Sequence, residues 1–265
     1  MVVKRSGVKV QSVSRALQII NCFKDSREMG ISEISAVMGL NKSTVFGLVN
    51  TLVSFGYLEQ VEATKKYRLG ITLFELGNTV LSRIDIRNET KESCFPLAKK
   101  YRAVAHIATY SDGQVVYIDK IDTGDSLITT SKVGKRAPMY CTGVGKAILA
   151  FLPHEYLEKF LKFPLKKMTP NTITGKKELM KELETIRQTR IAMDREEIEV
   201  GLSCIASPVL QQDGLPEISV SLSFPYGRIK NIDVNEVEAD LAECTRKLSE
   251  RLGYRKGQEG VRQKG

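Results

Sequence analysis

Lys42, Ser43, Thr44, Phe46, Gly47, Asn50 and Ser54 share one face of a predicted helix. The side chains there are mostly short, polar or basic, which suits a helix lying in the major groove of DNA. The opposite face holds Val45, Leu48, Val49, Leu52 and Val53 at i, i+3, i+4, i+7 and i+8, a stripe that needs burial. Asn41 stands at the N-cap, where its side chain accepts a backbone N–H left free by the first turn. Before it, Gly39 supplies a tight turn from a shorter helix whose apolar face is Ile31, Ile34, Val37 and Met38. After it, Tyr57 to Val61 and Lys66 to Leu69 read as two strands around a polar turn containing Lys65. The pattern is a helix-turn-helix followed by a wing placed to touch a phosphate or the minor groove.

An ordinary helical hairpin with a solvated polar face has the same periodicity, so the distribution of charge decides between the two. The chain of 265 residues carries 40 Lys+Arg against 31 Asp+Glu, a formal net charge of +9. Residues 1–83 hold 11 basic and 6 acidic side chains, residues 84–254 hold 25 and 24, and the last eleven hold 4 and 1. The excess lies in the helix-turn-helix segment and the C-terminal tail, while the middle is almost neutral. Localised positive charge is what a phosphate-binding module requires, because counterion release supplies most nonspecific affinity for DNA. Double-stranded DNA is the expected partner.

The length allows two domains with their own cores, and 42% hydrophobic residues fit a globular protein. No run of about 18 apolar residues is present, so no membrane span is expected. The first residues, Met-Val-Val-Lys-Arg-Ser-Gly, lack an apolar signal region. Five scattered cysteines (Cys22, Cys94, Cys141, Cys204 and Cys244) without a CxxC argue against a disulfide framework or a zinc site and for a reducing, cytoplasmic setting.

These motifs need elements to position them. A first helix is expected from about Ser14 to Phe23, with Leu17, Ile20 and Ile19 or Phe23 inward. A connector helix, roughly Ile71 to Ile84, carries Leu73, Leu76, Val80 and Leu81 for packing on its own domain and on a partner chain. Residues 1–9 and 255–265 read as disordered. Beyond residue 90 come a helix from Glu89 to Tyr101 and a hairpin of Val104–Tyr110 with Gln114–Ile121 around Ser-Asp-Gly. A third strand follows at Leu127–Ser131. Helices are expected near 145–151, 154–162 and 176–189, strands near 203–211 and 217–224, and a terminal amphipathic helix from Val234 to Leu252. Antiparallel strands with helices to one side make this half α+β.

Two stretches of the second half could carry chemistry. In the Gly134–Ala150 segment, Gly143 and Gly145 allow close backbone approach where a helix starts, which suits either a small anion or a plain strand-to-helix loop. Lys146 is a second cation there or a solvent-facing side chain. Asp194 and Cys204 frame another stretch, with Cys204 reading by default as a small buried hydrophobe. Ser219, Ser221 and Ser223 alternate with Val220, Leu222 and Phe224, and alternation alone favours a solvated face over a pocket. His106 and His154 have no motif around them and read as structural or exposed.

Together these segments resemble the IclR family of bacterial transcriptional regulators from about Val10 to Tyr254. The resemblance rests on Val10-Gln-Ser-Val-Ser-Arg-Ala-Leu17, Leu40-Asn-Lys-Ser-Thr-Val45, Leu52-Val-Ser-Phe-Gly-Tyr57, Tyr67-Arg-Leu-Gly70, and the stretches Gly134–Ala150 and Gly201–Pro208. It implies an α+β chain with a winged helix-turn-helix at 10–70, a linker helix at 71–84, a GAF-like effector-binding domain at 85–254 and a basic tail at 255–265. It also implies a homodimer or homotetramer on a palindromic operator, repressing or activating, with a small organic acid as effector. The matching pocket positions are Gly143, Val144, Asp194, Cys204, Ser221 and Ser223, which moves the serines to the pocket reading. Ile107, Ile118, Ile128 and Met139 are further candidates for setting pocket volume. Gly47 departs from relatives, many of which carry a larger, often basic residue there, so operator sequence does not transfer. Lys42, Ser43, Thr44, Phe46 and Asn50 are the candidates for the DNA-facing surface, with Arg15 and Lys65 as phosphate partners.

The chain holds no histidine motif, metal-ligand cluster or cofactor loop, so no cofactor, metal or catalytic residue is expected and the chain does not read as an enzyme. Two competitors are an enzyme acting on a small acid through Cys204 and Asp194, and a thiol switch at Cys204 or Cys141. Asn50→Ala is expected to weaken operator binding by about 1–3 kcal/mol while changing nonspecific binding less. Equal losses on operator and random DNA, measured by mobility shift at matched salt, would remove its role as a base reader.

Overall fold

The structure is a computed structural model that describes residues 10–82, 86–124 and 132–255, with backbone alone for 80–82. The expected side-chain contacts of Val80 and Leu81, the strand at Leu127–Ser131, Ile128, and the tails 1–9 and 256–265 lie outside the described residues. The chain divides near residue 84 into two compact units.

The first unit contains α1 (Gln11–Cys22), α2 (Ile31–Met38), α3 (Lys42–Ser54), β1 (Leu58–Gln60), β2 (Tyr67–Leu69) and α4 (Thr72–Ser82). Asn41 Oδ1 accepts the Thr44 N–H at 2.9 Å, so α3 starts at the expected cap. Gly39 ends α2 at φ +62°, a left-handed turn that suits glycine. Val45, Val49 and Leu52 of α3 are buried with Ile19, Phe23, Ile34, Leu58 and Tyr67 in one core. Two expected core residues are not in it: Leu17 is 57% exposed and Val37 is 66% exposed. Ile19 of α1 and Ile34 of α2, both fully buried, fill those helices' side of the core instead. β1 and β2 pair antiparallel, Leu58 opposite Leu69, to make the wing. On α4, Leu76 is exposed, as are Phe74 and the preceding Ile71.

The second unit contains α5 (Ile86–Tyr101), β3 (Val104–Ser111), β4 (Gln114–Ile121), β5 (Arg136–Pro138), a 3-10 turn at Met139–Cys141 and α6 (Gly143–Leu149). It continues through α7 (His154–Phe160), α8 (Lys176–Thr189), β6 (Ala192–Arg195), β7 (Leu202–Leu210), β8 (Pro216–Pro225), α9 (Tyr226–Ile229) and α10 (Val234–Arg251). One antiparallel sheet runs in the order β5-β4-β3-β8-β7-β6. The short strands β5 and β6 and the one-turn helix α9 escape periodicity, because three or four residues are too few to show a period.

Helices cover both faces of this sheet rather than the one side expected. Gly143 of α6 faces Cys204 and Ala206 of β7, close enough that an added Cβ would stand 3.2 Å from Ala206. The neighbouring β7 residue Ser207 points the other way and shares a 2.7 Å hydrogen bond with Thr245 of α10. Period-2 alternation therefore sends odd and even residues into two different cores. Ser219, Ser221 and Ser223 are all buried, so no solvated serine face exists on β8.

Two glycines of the first unit make opposite predictions. A Cβ on Gly47 would meet nothing within 4 Å, whereas one on Gly70 would fall 2.1 Å from the Gly56 carbonyl oxygen. Gly47→Ala should raise the stability of the first unit by about 1 kcal/mol, and Gly70→Ala should lower it by about 1–3 kcal/mol. Denaturant melts of the two variants check this; equal shifts of one sign would contradict the packing described.

Candidate functional site

The exposed side of α3 presents Lys42, Ser43, Phe46, Gly47 and Asn50, with Thr44 half-buried. Phe46 is 51% exposed, a large apolar side chain on an otherwise polar face. Ser43 and Thr44 also serve the helix start: the Ser43 hydroxyl donates to Asn41 Oδ1 at 3.1 Å, beside the Thr44 amide on the same oxygen. Lys42, Phe46 and Asn50 carry no such duty in the cap. Lys65 sits exposed in the wing turn at φ +57°, held by its own N–H on Val61 O and by Gln60 Nε2 on its carbonyl. Its neighbours are tied by ion pairs, Lys66 to Glu33 at 2.8 Å and Arg68 to Glu59. Arg15 lies half-buried on α1.

In the second unit the sheet register assembles the other candidates. Ser223 of β8 stands opposite Cys204 of β7, and Cys204 stands opposite Asp194 of β6. One step along, His106 of β3 stands opposite Ser221. Strand alternation turns these five side chains to the α6 side, where they line a cavity of about 330 Å³ together with Gly143 and Val144. All six positions named from the sequence thus meet around one space. Ile107, Ile118 and Met139 do not line it; they belong to the surrounding cores. His106 and Tyr117 also line the cavity and had no local motif to reveal them, while Lys135, Arg136, Thr142 and Glu199, in the lining too, lie within the two stretches singled out from the sequence without having been named there.

The floor is closely bonded. His106 Nδ1 and Cys204 Sγ each lie 3.1 Å from Ser223 Oγ, and the His106 ring meets Tyr117 edge-on at 5.3 Å. Thr142 caps α6 by accepting the Gly145 N–H at 3.2 Å, so that amide is already used. Asp194 Oδ1 accepts the Glu197 N–H at 2.7 Å, while Oδ2 is buried with no hydrogen-bond partner among the described residues. A buried oxygen left this way costs free energy unless something else satisfies it.

Burial sets the charge of this floor. It raises the Asp194 carboxyl to about 7, against the Glu197 amide that favours the ionised form. It lowers His106 to about 4, helped by Lys120 nearby, so the imidazole is neutral at pH 7. The Cys204 thiol is pushed up, first by burial and then by Asp194, and Cys141 is pushed up to about 12, first by burial. Both thiols stay protonated, which is the wrong state for a nucleophile or a redox sensor. His154, the second histidine, is exposed on α7 beside Glu158, outside the cavity.

Lys146 is neither a pocket cation nor solvent-facing. Its ammonium is fully buried behind the cavity, 2.6 Å from Glu197 Oε1 and 3.0 Å from Glu182 Oε1. Glu197 in turn gives its amide to Asp194. The start of α6 and the loop after β6, two walls of the cavity, are therefore joined through one ion pair.

Comparison with known proteins agrees with both halves. Residues 12–62 match the IclR helix-turn-helix domain, and residues 78–250 match the bacterial transcriptional regulator IclR C-terminal domain. XynR, an HTH-type transcriptional regulator of Escherichia coli K12, is 34% identical over 247 residues, covering 92% of this chain and 98% of XynR. The crystal structure of the Thermotoga maritima IclR superposes with a TM-score of 0.73 at 31% identity, covering 92% and 99% of the two chains. An IclR homolog from Microbacterium hydrocarbonoxydans, complexed with 4-hydroxybenzoate, has the same fold at a TM-score of 0.82 and 21% identity, covering 91% and 99%. With a winged helix in one unit and a lined cavity in the other, the chain belongs to the IclR family: it is a DNA-binding transcriptional regulator with a C-terminal effector-binding domain.

Proposed function

We propose that the cavity between the sheet and α6 binds a small organic acid, and that this ligand governs how the α3 face engages a palindromic operator. The observation that carries the reading is the unpartnered Asp194 Oδ2, buried at the cavity wall among hydroxyl and imidazole groups. With its carboxyl raised to about 7, Asp194 is half protonated near neutrality and then donates from Oδ2 instead of repelling an anion. Ser221 and Ser223 add hydroxyl donors, Gly143 and Val144 add backbone N–H groups, and Lys135 and Arg136 bring positive charge. Cys204 shapes the floor. The volume lies at the lower end of small-molecule sites, roughly 300–1,000 Å³, which favours a compact acid. The 4-hydroxybenzoate held by the Microbacterium homolog is a ligand of that class.

On the DNA side, Lys42, Phe46 and Asn50 face base edges, Ser43 and Thr44 support the start of the same helix, and Arg15 and Lys65 neutralise phosphate. Regulation is a population shift: the ligand favours one spacing of two winged helices in a homodimer or homotetramer, changing the fit to two half-sites. Only differential affinity for the two spacings moves the equilibrium. The working domains are 10–70 for DNA, 71–84 as linker and 85–254 for effector, in a cytoplasmic protein that turns over no substrate. The exposed apolar residues on and beside α4, Ile71, Phe74 and Leu76, support a chain–chain contact along the linker.

Footprinting on DNA upstream of its own gene, at two salt concentrations and with a panel of small acids, tests the whole reading. A palindromic footprint that one acid releases or tightens is the expected result. Ser221→Ala/Ser223→Ala should keep the ligand-free footprint and lose at least tenfold in sensitivity to that acid; unchanged sensitivity would remove the cavity from the mechanism.

Asp194 also makes a pH prediction. A carboxyl whose folded pKa is raised adds stability that is fully present below pH 4 and lost as pH rises through about 7. The stability of Asp194→Asn relative to the wild type should therefore grow between pH 4 and 7, by up to about 4 kcal/mol, then level off. Urea melts across that range check it, and a pH-independent difference would contradict the buried, titrating carboxyl.

A further inference from the structure

On the opposite face of the sheet, α5 and α10 pack side by side and bring Cys94 and Cys244 together. Their sulfurs are 3.9 Å apart, the only thiol pair within hydrogen-bonding distance among the described residues. Ion pairs pin the helices on both sides of this point. Lys100 lies 2.7 Å from both Glu236 and Asp240, Tyr101 donates to Asp240 at 2.6 Å, and Arg251 pairs with Glu89 at the other end. These contacts flank the point where the two sulfurs meet.

The two cysteines differ in access. Cys94 is fully buried. Cys244 is half-buried and lines a cavity of about 380 Å³ between the helices, with Ser93, Leu97, Lys247 and Arg251. Asp240 and Glu243 balance Lys247 and Arg251 in that lining, which is therefore polar and gives a small polar oxidant a route to the Cys244 sulfur.

We propose that Cys94 and Cys244 form a reversible oxidation site, in which a hydroperoxide closes an intramolecular disulfide between α5 and α10. Cys244 is the attacking sulfur and Cys94 the resolving one. The Cys244 thiol is lowered, first by the hydrogen bond with Cys94 and further by Lys247, against the opposing effects of burial and of Glu243. Cys94 is raised well above the ordinary range, first by that same hydrogen bond. In the first step the Cys244 thiolate attacks one peroxide oxygen, the O–O bond breaks, and sulfur becomes a sulfenic acid. The departing hydroxide (or alkoxide) takes a proton. In the second step Cys94 sulfur attacks the sulfenic sulfur, the S–O bond breaks, and the hydroxyl leaves with the Cys94 proton as water. Two thiols are oxidised by two electrons and one peroxide is reduced. The sulfurs must close from 3.9 Å to about 2.05 Å, a movement within reach of side-chain rotation and a small helix adjustment. Thiol–disulfide exchange with a dithiol reverses it.

The site is separate from the effector cavity and from the buried thiols Cys141 and Cys204. The test uses the purified, reduced full chain, exposed to hydrogen peroxide, denatured in an alkylating reagent and mapped by peptide mass. The expected result is joint loss of alkylation at Cys94 and Cys244, with a linked peptide pair lighter by two hydrogens that dithiothreitol separates. In Cys94→Ser, the link should vanish and dimedone should label Cys244; in Cys244→Ser, Cys94 should stay alkylatable. The wild-type map decides the question even if a variant fails to fold. Full alkylation of both residues after peroxide, a link joining two chains, or oxidation confined to Cys22, Cys141 or Cys204 would overturn the proposal.

Discussion

A lysine ammonium with no solvent contact holds the effector-binding unit together at its functional centre. Lys146 projects from α6 into the space between α8 and the loop after β6, and it ends on two carboxylates. A buried charge is costly unless paired, so α6 can sit against the sheet only where Glu197 and Glu182 meet it. That placement puts Gly143 against Cys204 and Ala206, where a larger residue would crowd the strand. The same Glu197 carries its amide to Asp194, and Thr172 donates to the Glu197 carbonyl at 2.6 Å. The cavity wall is thus positioned by a chain of contacts that starts from one ion pair.

The sheet supplies the rest. Because the strands are antiparallel and in register, side chains distant in sequence fall into adjacent rows: Ser223, Cys204 and Asp194 in one, His106 and Ser221 in the next. A single-residue slip would move every one of them to the α5–α10 side. The floor they make is polar yet nearly uncharged at neutral pH, with a neutral imidazole and a protonated thiol. Asp194 is the exception, near its own titration point. Such a floor is what the proposed weak-acid ligand requires, since an ordinary ionised aspartate would repel it. It offers no activated nucleophile, which weighs against an enzyme at this site.

The legible parts of the sequence were those with a local cause. Asn41, Gly39 and the Val45–Val49–Leu52 stripe identify the helix-turn-helix because cap, turn and period are all short-range. The period also misled, since it turned Leu17 and Val37 inward where the structure leaves both exposed. In the second unit, the glycines and serines became a site only through the family resemblance, because alternation alone pointed the serines at solvent. His106 and Tyr117 join the cavity across strands and have no neighbours in sequence that mark them. Lys146 was unreadable for the same reason: its partners lie 36 and 51 residues away, and a lone lysine defaults to the surface. The covering of both sheet faces follows from tertiary packing that strand spacing cannot encode.

The most direct test of this account is a double-mutant cycle on the buried pair, Lys146→Met, Glu197→Gln and both together, read by denaturant unfolding of the full chain. Lys146→Met leaves Glu197 buried without its cation and should cost about 3–5 kcal/mol, whereas Glu197→Gln leaves Lys146 on Glu182 alone and should cost less. The double variant should recover much of that loss, giving a coupling of at least about 2 kcal/mol. Losses that simply add, with coupling within about 0.5 kcal/mol, would mean that the ion pair does not hold the cavity walls together.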